Sequence, residues 1–140
     1  GMLGLTFVAV GLLKLASVPP PLAASFPHEQ WLAWVLFQFA WAALPEELFF
    51  RGYLLSNGMR LLSTALKPDS AFVRPAAIAL SAGAFALAHV LVLGNAAAAL
   101  TFVPGLFFAW AFVRTGSLIA PVLLHGLANI GYVLMVQAMA

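Results

Sequence analysis

The stretch 31–66, WLAWVLFQFAWAALPEELFFRGYLLSNGMRLLSTAL, decides the fold. It is apolar or helix-favouring almost throughout, and as a single helix it would run about 54 Å, well beyond a bilayer core of about 30 Å. Something must interrupt it. Pro45 is the expected place, because proline removes a helical hydrogen bond yet fits the first turn of a new helix. Two glutamates, Glu46 and Glu47, follow at once.

Outward from this stretch, the rest of the chain is of the same kind. Of its 140 residues 64% are hydrophobic and 7% charged, and the mean hydropathy is +1.06. Soluble domains average roughly 45–50% apolar and about 25% charged, so this is a membrane protein. Five apolar segments fit membrane helices, at about 2–18, 31–55, 75–93, 97–113 and 117–138. The expected fold is all-α: a polytopic transmembrane helical bundle of about five membrane helices with a break near Pro45, residues 1–140 forming one domain. The run 2–18 reads as a retained span, since it lacks a basic leader and Pro19, Pro20 and Pro21 stand where a cleavage site would need small residues. The opening Gly1-Met2 suggests a chain that begins partway through a longer protein.

Arg60, Lys67, Arg74 and Arg114 fall in two connections that a five-span arrangement puts on one side, which the positive-inside rule makes cytoplasmic; Lys14 is the dissenter. A bacterial inner (plasma) membrane is the expected location. Without cysteine the chain has no disulfide, thiolate ligand or cysteine nucleophile. Its few bases make no patch for nucleic acid. Ser56, Ser63 and Ser81 have no base at useful spacing, which disfavours a serine mechanism.

Ionisable groups are costly in hydrocarbon and by default mark function there. Six polar residues stand out in three groups: Glu46, Glu47 and Arg51; His89; His125 and Asn129. A further polar residue, Gln38, has no obvious companion. Glu47 and Arg51, four apart, share a helix face and pair, whereas Glu46 points elsewhere and is free to work. A carboxylate and a histidine can hold and deprotonate water. A second histidine and a carboxamide can donate to a developing oxyanion. Amide hydrolysis needs both halves. Straight parallel helices would leave Glu46 and His89 at different depths, so the site demands irregular geometry around Pro45.

The motifs Glu46-Glu47-Leu48-Phe49-Phe50-Arg51, Phe85-Ala86-Leu87-Ala88-His89 and His125-Gly126-Leu127-Ala128-Asn129 resemble the EExxxR, FxxxH and HxxxN pattern of the CPBP family, the CAAX protease and bacteriocin-processing (Abi) group. Each motif alone is weak; three in order within apolar segments are specific. The resemblance implies an intramembrane endopeptidase. Glu46 would activate water with His89 as its partner, His125 and Asn129 would form an oxyanion hole, Glu47 and Arg51 would brace the site, and Phe85 would line it. Family members commonly have more spans than five, so the chain reads as a core or fragment. Its partner would be a membrane-associated protein or peptide: a prenylated CAAX tail, a bacteriocin leader or a C-terminal sorting tail.

Members have been called metalloproteases, and Glu46, His89 and His125 could supply a two-His, one-carboxylate zinc set. No cofactor is the favoured reading, because Asn129 beside His125 suits an oxyanion donor better than a zinc shell. Taken singly, each feature has a structural explanation: an ordinary i, i+4 ion pair, a packing histidine, a hydrogen bond gluing helices. The alternative function is accordingly a catalytically silent membrane scaffold that keeps the polar cluster for packing. It leaves Glu46 unexplained. An ion or proton carrier is disfavoured because no second acid continues a path.

Overall fold

The computed structural model describes residues 29–66 and 70–138. These are helical, with no strand among them. The expected span at 2–18 and Lys67 lie outside the described residues. Helical backbone runs without interruption through residues 31–65, termed α1. Its sections are an α-helix Trp31–Phe37, a π-helix Gln38–Ala43, an α-helical turn Leu44–Glu47, a second π-helix Leu48–Leu55 and an α-helix Ser56–Ala65. Helix α2 is Val73–Leu93. Helix α3 begins as a 3-10 stretch, Ala96–Thr101, and continues as the α-helix Phe102–Thr115, and α4 is Ile119–Ala138.

The expected break at Pro45 is absent. Leu44 (φ −61, ψ −50) and Leu48 (φ −58, ψ −45) keep helical backbone angles on either side. The irregularity takes another form, because the π stretch ending at Ala43 widens the turn that precedes the proline ring, where an α-helix would clash and lose a bond. Carbonyls loosened in the second π stretch are taken up by side chains. Ser81 Oγ donates to Phe50 O at 2.8 Å, and Ser56 Oγ to Arg51 O at 3.2 Å. The excess length of α1 lies in its last section, where Asn57, Ser63 and Thr64 satisfy themselves on the preceding turn.

Among the described residues three helices, Val73–Leu93, Ala96–Thr115 and Ile119–Ala138, are long and apolar enough to cross a membrane, and α1 packs beside them in an integral membrane bundle. Glycine ends two of them: Gly94 (φ +62) and Gly116 (φ +66) adopt the left-handed backbone that lets the chain reverse after α2 and α3. Asn95 then accepts from Ala97 N (2.9 Å) to start α3, and Ser117 Oγ accepts from Ile119 N (3.2 Å) to start α4.

The α1–α2 hairpin resolves the depth problem. Counted from the turn between them, Glu46 lies about 28 Å back along α1 and His89 about 24 Å along α2, which is nearly level. The core on this level is aromatic: Phe50, Phe85 and Phe108, from α1, α2 and α3, pack with Leu54, Ala84, Ala88, Leu124 and Ala128. A second cluster nearer the hairpin joins Leu55, Ala77 and Ala109. The outer faces are apolar instead, with Leu80, Leu91, Val92, Trp110 and Leu123 turned outward, as acyl chains require.

Candidate active site

Glu46 and Glu47 are successive residues on one turn and face different surroundings. Glu47 points into the bundle and is 0% exposed, as is Arg51. Its Oε1 accepts from Arg51 Nη1 at 2.9 Å. Arg51 reaches on to α3 and donates through Nη2 to Gly105 O at 3.0 Å. Its guanidinium carbon stands 4.5 Å from the Phe85 ring centroid and 5.4 Å from that of Phe108. Paired, hydrogen-bonded and sandwiched by aromatic faces, this buried charge is well compensated. Gly105 permits the approach: a Cβ there would stand 3.2 Å from Phe85 Cδ1.

The same Glu47 oxygen has a second partner. His125, buried on α4, places Nδ1 at 2.8 Å from it. A carboxylate at this distance accepts, so Nδ1 carries the hydrogen and Nε2 is turned to the other side. The imidazole lies flat on Phe108 (centroids 5.0 Å apart, interplanar angle 15°) and meets Phe85 edge-on at 5.5 Å. His89 is oriented by its own helix. Its Nδ1 lies 2.9 Å from Phe85 O, which can only accept, so here too Nε2 faces outward from the hydrogen-bonded side.

Both Nε2 atoms point at the first glutamate. Glu46 Oε2 is 3.9 Å from His89 Nε2 and 3.8 Å from His125 Nε2. It is enclosed and has no hydrogen-bond partner, although the Glu46 side chain as a whole is 37% exposed. Three acceptor atoms from α1, α2 and α4 thus converge with no donor among them. Such a set calls for a donor, and two O–H bonds of one water are the simplest supply. Glu47 Oε2 and Arg51 Nε also lack partners.

The types of Glu46, His89 and His125 are those of a two-His, one-carboxylate zinc set. Ligands about 2.1 Å from a tetrahedral ion lie about 3.4 Å apart, closer than the 3.8 and 3.9 Å found here. Among the described residues no trio of His, Cys, Asp or Glu stands in a metal-holding arrangement.

Asn129, one turn beyond His125 on α4, has a partner that the sequence did not reveal. Its Nδ2 donates to Gln38 Oε1 at 3.2 Å. Gln38 therefore does have a companion, across 91 positions of sequence. The signal in the sequence is the cost of an isolated polar group in hydrocarbon, which implies a polar partner on another helix. The link between Glu47 and His125 was likewise invisible, since Glu47 already had a sufficient partner in Arg51. Phe85 touches nearly everything: its ring lies 5.2 Å from Phe50, 4.4 Å from His89 and 6.3 Å from Phe108.

The bundle and this cluster define an integral membrane protein with an acid–histidine centre enclosed between helices. The family follows from the sequence match: a model of the type II CAAX prenyl endopeptidase Rce1-like family covers residues 28–131, and the chain belongs to that family. It is accordingly, at family level, a membrane-embedded protease acting on membrane-associated substrates. No curated protein and no solved structure matches the chain.

Proposed function

We propose that the chain hydrolyses a peptide bond with a water activated by Glu46. The observation that carries this reading is the convergence of Glu46 Oε2 with His89 Nε2 and His125 Nε2, at 3.9 and 3.8 Å and without a donor. A water held by Glu46 and His89 gives a proton to Glu46 as its oxygen bonds to the scissile carbonyl carbon. The carbonyl electrons move to its oxygen, which Asn129 Nδ2 stabilises by donation, while His125 Nε2 serves with His89 Nε2 as acceptor for the O–H that the water keeps. When the oxyanion re-forms its double bond, the C–N bond breaks and the proton on Glu46 passes to the departing amine.

Glu47 acts as a positioning residue: it holds His125 Nδ1 and so directs Nε2 to the reacting atoms, with Arg51 fixing Glu47 in turn. No cofactor is part of the proposal. A silent scaffold would account for the Glu47, Arg51 and His125 contacts but not for an unpartnered Glu46 oxygen.

Purified protein in detergent, given fluorogenic farnesylated CAAX, leader-type and C-terminal tail peptides, should cleave at least one of them. Glu46→Gln should lower kcat by about 10²–10⁴-fold, the usual weight of general-base catalysis, with unchanged thermal unfolding. Prior treatment with a strong chelator should leave the rate intact. A Glu46→Gln rate equal to wild type would remove Glu46 from the chemistry, and loss of activity on chelation would restore the zinc reading.

A further inference from the structure

Resting on the oxyanion reading of Asn129, we infer that Gln38 is a positioning residue, which holds the Asn129 carboxamide so that one of its N–H bonds faces the reacting carbonyl. A carboxamide on the end of a side chain has two hydrogens and can rotate about its terminal torsion, a broad and soft one. To serve an oxyanion it must be fixed before the reaction, because preorganised donors stabilise a transition state more than mobile ones do. Gln38 Oε1 takes one Asn129 Nδ2 hydrogen at 3.2 Å. The bond fixes the amide plane and leaves the second hydrogen available.

Two further features keep Gln38 in place. It opens the first π stretch, Gln38–Ala43, and the wider turn there sets the rotation at which its side chain leaves α1. Its neighbour Phe39 is pressed against α4 at Gly126, where a Cβ would stand 2.3 Å from the Phe39 ring. This contact lies between His125 and Asn129 in register. The α1–α4 spacing beside the site is thus set by the absence of a side chain at 126, and at that spacing Gln38 reaches Asn129. The same helix that supplies Glu46 also orients the donor opposite to it, so base and oxyanion hole are held in one rigid frame.

The test uses the full chain in detergent and a farnesylated CAAX fluorogenic peptide. Gln38→Met keeps the length of the side chain and removes the acceptor; Gln38→Ala removes it with a smaller volume, which guards against one variant failing to fold. Both should lower kcat by about 10-fold with KM within two-fold, less than deleting a donor outright. Gln38→Glu, which still accepts, should recover most of the kcat. In an Asn129→Ala background, already slow, Gln38→Met should change nothing further. Wild-type kcat in Gln38→Met and Gln38→Ala alongside a slow Asn129→Ala overturns the role of Gln38 and spares the oxyanion reading. Wild-type kcat in Asn129→Ala overturns both. A fall in KM-limited rate alone, with kcat unchanged, makes Gln38 a substrate contact and also overturns the inference.

Discussion

Glu47 holds two positive or donor groups at once on one oxygen, and it does so with no exposure to its surroundings. Energy and chemistry are separable at this residue. Removing one partner of a buried ion pair strands the other and costs about 3–5 kcal/mol, whereas replacing both with apolar residues of similar size is often close to neutral. Arg51→Met should therefore destabilise the protein by about 3–5 kcal/mol, and Glu47→Met with Arg51→Met should recover much of that loss. The double variant should nonetheless be inactive, because His125 would no longer have an acceptor for Nδ1. Reversible unfolding in mixed detergent, measured for both singles and the double, checks the first statement. A double variant no more stable than its worse parent would refute it. The resemblance assigned Glu47 only a bracing role; the distances give that brace an object, the ring of His125.

The elements are held at distances that small residues permit, and not all glycines are equivalent in this respect. Gly126 meets the Phe39 ring and Gly105 meets Phe85, whereas a Cβ at Gly83 has nothing within 4 Å. Gly126→Ala should cost about 1–3 kcal/mol through overpacking, and Gly83→Ala should cost nothing or gain up to about 1 kcal/mol in helix propensity. Thermal unfolding of the two variants side by side checks the contrast; equal stabilities would mean that the α1–α4 contact is not set by Gly126. The π stretches are the other device of this scale. They let Pro45 sit inside a continuous helix. The pattern of the sequence located the irregularity at Pro45 but gave its form as a break, because a proline looks the same before either outcome. Whether the preceding turn widens or ends depends on what the helix packs against.

For the molecule as a whole, sidedness is the testable property. Arg74 and Arg114 line one shallow cleft with Ile78, Trp110 and Val113, so the start of α2 and the end of α3 share one end of the bundle. Arg60 and Arg74 border another cavity at that same end. The positive-inside rule predicts that this end is cytoplasmic. The chain has no cysteine, so single replacements report cleanly. Ser70→Cys and Ser117→Cys should react with an impermeant maleimide from the cytoplasmic side only, and Ala96→Cys from the opposite side only. Labelling of all three from one side would contradict the arrangement of α2, α3 and α4 across the membrane.

Composition and the length of the apolar segments were enough to establish a helical membrane bundle, because hydrocarbon leaves a backbone few other ways to satisfy its polar groups. Three spaced motifs were enough to nominate Glu46, His89, His125 and Asn129, because so few polar residues compete with them in this chain. Which atoms meet was decided only by the packing of four helices. The reach of Glu47 to His125, the tie between Gln38 and Asn129, and the shared level of Glu46 and His89 all depend on rotations about helix axes. Those rotations were set by π turns and by glycine contacts between residues far apart in sequence, and no local pattern encodes them.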